Sequence, residues 1–218
     1  MTELALPGLD RLLSVCRQLE LEVLTEPPGH TPPAVGSRVG GYPLDPMLAA
    51  FYSRFGRAMF ARKSVGMGLF RVDDGVNELE DDNQQWRETW QQYFALPLFV
   101  FGGYSGLAWY LATVPGLADA KGSQPVVFVD AYDDTYALPV ASNVDRFFDV
   151  FSHYLEALVS HPDYEADGSS ALSFPWRVPE LLARDAPLVE LLRAGRFDPL
   201  LKDDELRAWA AKVVHFGT

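Results

Sequence analysis

Residues 89–118 are thirty consecutive positions without a charged side chain, and this stretch constrains the fold more than any other in the chain. It is long enough in principle to cross a bilayer. Its content forbids that reading. Pro97, Gly102, Gly103, Ser105 and Gly106 lie inside it, and only Arg87 and Lys121 flank it, without the one-sided basic cluster that orients a spanning helix. Two apolar and aromatic runs, at about 97–101 and 107–112, are separated by the glycines and read as buried strands joined by a turn. No membrane contact is expected from them.

Further strands are expected at 67–72, 125–130 and 136–141, the last two joined by a short connection that contains Asp133-Asp134. Strands in sequence with short connections imply antiparallel pairing. Helices surround them. Leu9, Leu12, Leu13, Cys16, Leu19 and Val23 recur at helical steps, and Asp45-Pro46 supplies a cap and a first-turn proline for a helix to about residue 61, with Gly56 marking a possible earlier end. Asn83 is a candidate cap for a short helix that places Trp86, Trp90 and Tyr93 on one face. Ser142-Asn143-Val144-Asp145 opens a helix presenting Phe147, Phe148, Phe151, Tyr154, Leu155 and Leu158. Three helical segments follow near 178–186, 187–194 and 203–213. Residues 26–43, with five prolines and four glycines, read as a loop. The expected fold is α+β: a largely antiparallel sheet with helices packed against it, in a domain of residues 1–160 (core 40–160), and a helical extension of 161–218 packed on the same domain.

Charge narrows the partners. Eighteen Lys and Arg stand against 30 Asp and Glu, a formal net charge of −12, which argues against non-specific binding to nucleic acid or an anionic membrane. The excess has a location: residues 73–170 hold 17 acids and only Arg87, Lys121 and Arg146, while the remainder has 15 bases and 13 acids. Solubility alone can account for such a charge. The single cysteine, Cys16, makes no intramolecular disulfide and excludes zinc sites built on paired thiolates. The first thirty residues lack a basic stretch followed by an apolar core and a small-residue cleavage site, so a cytoplasmic protein is expected.

Chemistry is scarce. Gly103-Tyr104-Ser105-Gly106-Leu107 resembles a nucleophile elbow, but Leu107 takes the place of the second glycine and the residues after it read as a strand instead of the required helix. Gly66-Met67-Gly68 precedes a strand and lacks a third glycine, so it is no dinucleotide fingerprint. His30, His153, His161 and His215 include no pair spaced for one helical face, and Asp73-Asp74-Gly75 lacks calcium-loop spacing. No catalytic residue, metal or cofactor is expected.

The order of elements resembles the SUKH superfamily, which includes the Smi/Knr-like proteins. The matching residues are the segment Pro43-Leu44-Asp45-Pro46-Met47-Leu48-Ala49-Ala50-Phe51-Tyr52-Ser53-Arg54-Phe55-Gly56, then strands at 98–103, 107–111 and 125–130, then Val140-Ala141-Ser142-Asn143 leading into a helix of 144–158. The likeness spans about residues 40–160. The chain departs from the family pattern in its proline-rich loop 26–43, its acidic stretch 73–82 and its extension beyond His161.

The resemblance implies a protein-binding domain: immunity proteins that bind and neutralise a cognate toxin, often a nuclease, or regulatory scaffolds. The acidic middle of the chain agrees with a basic toxin, because complementary charge speeds encounter and suppresses wrong partners. Asp73, Asp74, Glu78, Glu80, Asp81, Asp82, Asp130, Asp133 and Asp134 are the expected partner-binding residues, all read as surface positions. Two alternatives stay open: a scaffold that docks through the loop 26–43, and a hydrolase using Ser105.

Overall fold

The computed structural model, which describes residues 4–104, 106–132, 135–166 and 171–217, turns the uncharged stretch into the two central strands of a sheet. In chain order the elements begin with α1 (Pro7–Gln18), β1 (Leu24–Glu26), β2 (Arg38–Val39), β3 (Tyr42–Pro43), α2 (Pro46–Arg54), β4 (Arg57–Phe60), β5 (Met67–Leu69) and α3 (Glu78–Thr89). They continue with β6 (Phe99–Tyr104), β7 (Trp109–Thr113), β8 (Val126–Asp130), β9 (Tyr136–Ala141), α4 (Val144–Val159), α5 (Pro179–Leu182), α6 (Ala186–Arg193) and α7 (Asp204–Phe216). Seven strands form one sheet in the order β1-β4-β5-β6-β7-β8-β9, every neighbouring pair antiparallel. The fold is α+β, as expected.

Side-chain caps start the helices. Asp45 accepts from the N–H groups of Met47 and Leu48 at 2.7 and 3.2 Å, and Asn143 from that of Arg146 at 2.8 Å. Helix α2 ends at Arg54, seven residues before the expected end, and the chain reverses at Gly56 into β4. A Cβ at Gly56 would lie 2.6 Å from the carbonyl oxygen of Pro27 and 2.9 Å from that of Val72, so only glycine lets three segments meet there. The residues after Gly56 were expected to be helical, and β1 was not expected. Both are short strands of the β1–β4 pair, in which Leu24 faces Met59 and Glu26 faces Arg57.

The face of the sheet under α4 is closed by aromatic rings. Phe101 meets Phe147 at 6.4 Å between centroids, and Phe60 meets Phe148 at 6.3 Å, while Phe148 reaches Phe51 of α2 at 6.0 Å. Each such ring, fully buried, contributes about 1.5–3 kcal/mol by its removal from water. Helix α1 lies along α4, where Asp145 accepts from the N–H groups of Gly8 and Leu9 at 3.1 and 3.2 Å. The C-terminal segment joins the same core. Phe174 packs among Phe128, Phe147, Phe151 and Tyr154, and the buried Asp185 caps α6 while accepting from the backbone N–H and hydroxyl of Ser142 at 2.6 and 2.8 Å.

Candidate binding groove

The opposite face of the sheet is built from the alternate residues. Across four strands one row reads Met59, Gly68, Gly103 and Tyr110, each opposite the next. Two glycines in the middle of a row leave no side chains to fill the surface, and an open groove of about 320 Å³ lies there. The floor is imposed at Gly103, where a Cβ would lie 2.5 Å from the carbonyl oxygen of Trp109. It is not imposed at Gly68, where a Cβ would press on the flexible Met59 side chain at 3.1 Å and reach the carbonyl oxygen of Ala58 at an ordinary 3.4 Å.

Helix α3 makes one wall. Asn83, fully buried, donates to the carbonyl oxygens of Leu79 at 2.7 Å and Val100 at 2.6 Å and accepts from the N–H of Val100 at 2.9 Å. It therefore fastens the helix to the start of β6, and it is not the cap expected from the sequence. Asn77 caps the helix instead, accepting from the N–H of Glu80 at 3.2 Å. The physical reason is that Asn83 finds an unpaired backbone amide at the sheet, a partner no local pattern reveals. Trp86, one turn on, stacks on Phe94 and meets the edge of Tyr110 at 5.4 Å. Trp90 is half-buried beside it, but the helix ends at Thr89 and leaves Tyr93 exposed.

Glu78 and Asp82 lie one turn apart on α3 and both line the groove, together with Leu107 and Tyr110 and with Arg57 and Met59 of β4. Burial, with the charges of Glu78 and Asp81 adding to it, pushes the Asp82 carboxyl up. Burial and the charge of Asp82 push the Tyr110 hydroxyl up in turn. Arg57 forms an ion pair with Glu26 at 3.7 Å.

The nine expected partner-binding acids separate into distinct groups. Glu78, Asp81 and Asp82 gather on α3, with Asp81 exposed to solvent. Glu80, also on α3, accepts from the N–H of Gly40 at 2.9 Å and ties down the β2–β3 hairpin, so the proline-rich loop contains a small sheet of its own. Glu78 also accepts from the N–H of Arg71 at 2.7 Å. Asp73 is turned inward: it binds the Arg71 side chain and accepts from the N–H groups of Gly75 and Val76 at 2.9 and 3.0 Å, and these bonds hold its carboxyl below the usual range. Asp74 is held low in the same way by the ring and backbone N–H of His30. Asp130 stands at the far end of β8, accepting from the indole N–H of Trp109 and the N–H of Tyr132, both at 2.9 Å. Asp133 and Asp134 lie outside the described residues, as does Ser105. The strand before Ser105 leads into another strand, β7.

The groove-forming residues Arg57, Met59, Gly68, Gly103 and Tyr110 were not among the expected site residues. Their signal was present in part, since glycine in the middle of a strand marks a close approach or an unfilled surface. Among the described residues no three His, Cys, Asp or Glu side chains gather as a metal ion would need, and no helix is long and apolar enough to cross a membrane.

Fold and groove together define the class: an α+β protein with one closed sheet face and one open, acid-walled face. No protein-family model, curated protein or solved structure matches the chain.

Proposed function

We propose that this protein is a non-catalytic binding protein of the SUKH immunity type, which neutralises a basic, nuclease-type toxin through the acidic face around α3. The observation that carries this reading is the state of the acids. Glu78, Glu80, Asp81, Asp82 and Glu88 all lie on α3, and among the described residues none of them forms an ion pair. Acids elsewhere are spent differently: Asp10 of α1 pairs with Arg54 of α2, and near β1 and β4 Glu22 pairs with Arg62 and Lys63 and Glu26 with Arg57 and Arg71. Charge left uncompensated on one helix supports steering toward a basic surface.

The test is association kinetics with a candidate basic, nuclease-type toxin domain, measured across a salt series. The association rate is expected to fall steeply with ionic strength, and to fall again when Asp81 and Asp82 are changed to Asn. A rate indifferent to salt overturns the electrostatic part of the reading.

A further inference from the structure

The groove has a shape and a charge that select one kind of occupant. Its volume of about 320 Å³ stands at the lower end of the range for ligand pockets, roughly 300–1,000 Å³, which suits a single long side chain better than a bulky ligand. Its floor is bare backbone at Gly68 and Gly103. Its lining includes two carboxylates a helical turn apart, Glu78 and Asp82, together with the half-buried ring of Tyr110 and the half-exposed Leu107. Among the described residues the only cation lining it, Arg57, is paired with Glu26.

We infer that this groove is the docking pocket for an arginine side chain presented by the protein partner. The inference rests on the acid-steered binding reading and gives it a location. Arginine suits the site for three reasons. Its alkyl stem can lie along Met59 and the glycine floor. Its planar guanidinium can stack against an aromatic ring such as Tyr110. Its several N–H donors can reach Glu78 and Asp82 together, whereas a lysine offers a compact point charge that does not stack in the same way. Asp81, on the same helix but outside the groove lining, serves long-range attraction only.

The experiment uses the full chain labelled with nitrogen-15 and titrated with an acetylated, amidated Gly-Arg-Gly peptide, followed by backbone amide NMR. Saturable shifts centred on Gly68, Gly103 and Tyr110 are expected. Asp82→Asn is expected to weaken binding about tenfold, Asp81→Asn by less than about twofold, and the Gly-Lys-Gly peptide is expected to bind several-fold more weakly. Gly68→Val fills the floor and is expected to abolish the shifts. If its spectrum shows a disturbed fold, Gly68→Ala, which crowds the flexible Met59 side chain and makes an ordinary contact with the Ala58 carbonyl oxygen, is expected to weaken binding severalfold with the spectrum otherwise retained. Absence of saturable shifts overturns the docking pocket. So do shifts spread along α3 with equal losses for Asp81→Asn and Asp82→Asn and none for Gly68→Val. In both cases a salt-dependent association with the basic toxin domain leaves the wider reading standing. Conversely, a seated arginine peptide together with a salt-independent toxin encounter overturns the wider reading alone.

Discussion

On the α4 side of the sheet, Phe60, Phe101 and Phe128 meet a second layer of rings, Phe147, Phe148 and Phe174, and no surface is left. On the other side the same central strands present Met59, Gly68, Gly103 and Tyr110, and a groove is left between them. Strand alternation assigns every second residue to each face, so a single run of sequence can specify a packed core on one side and an unfilled surface on the other. The closed face stabilises the molecule. The open face, bounded by acids of α3 that form no ion pair among the described residues, is where it can meet something else.

The largest expected effect breaks the closed face. Phe147→Ala removes a fully buried ring that touches Phe101, Phe148, Phe151 and Phe174, and is expected to cost about 3–5 kcal/mol in urea unfolding. A cost under about 1 kcal/mol would show that the two faces are not as different as their packing says.

Next comes the fastening of the open face. Asn83→Ala leaves the buried N–H and C=O of Val100 without their side-chain partner and is expected to cost about 2–3 kcal/mol in the same measurement. It also frees α3, so the groove's capture of the arginine peptide is expected to fall more than the fold does.

A pH prediction separates the faces again. Burial pushes the Asp45 carboxyl up to about 6 from an ordinary 3.8, against the opposing bonds from Gln124, Met47 and Leu48, with Asp119 adding to the rise. A folded value above the unfolded one means that the folded state binds this proton more tightly. The stability from this group is therefore complete below about pH 4 and is lost as pH rises through about 6, by on the order of 2–3 kcal/mol. Asp45→Asn keeps an oxygen on the α2 cap and cannot ionise, so the difference between wild type and variant is expected to track this window in thermal melts from pH 4 to 7. A constant difference would show that the carboxyl does not titrate there.

The smallest effect belongs to the exposed wall. Asp81→Asn is expected to change stability by less than about 0.5 kcal/mol while slowing toxin association at low salt, and a change of stability comparable to that of Asn83→Ala would place Asp81 in the fold instead of on the binding face.

Much of this architecture was legible in the chain. The glycine-broken uncharged stretch led to β6 and β7, Asp45-Pro46 to α2, and the phenylalanine pattern after Asn143 to α4. The short strands β1 and β4 were not. β1 pairs with β4 across a long separation and β4 pairs also with the nearby β5, and neither β1 nor β4 has enough local pattern to announce itself. Half of the groove was legible in the same sense. Glu78 and Asp82 stood out as acids, whereas Arg57, Met59 and Tyr110 became neighbours of those acids only through strand register.

The sequence by itself determined the α+β class, the antiparallel order and the place of the acidic excess, because periodicity, capping residues and charge are local properties of the chain. Only the tertiary structure decided which acids remain free. Asp73 and Asp74 were drawn to Arg71 and His30, and Glu80 to the backbone of Gly40, while among the described residues Asp81 and Asp82 form no ion pair. A carboxylate's partner is whatever the fold lays beside it, and here loops up to 44 residues away in sequence settled the matter.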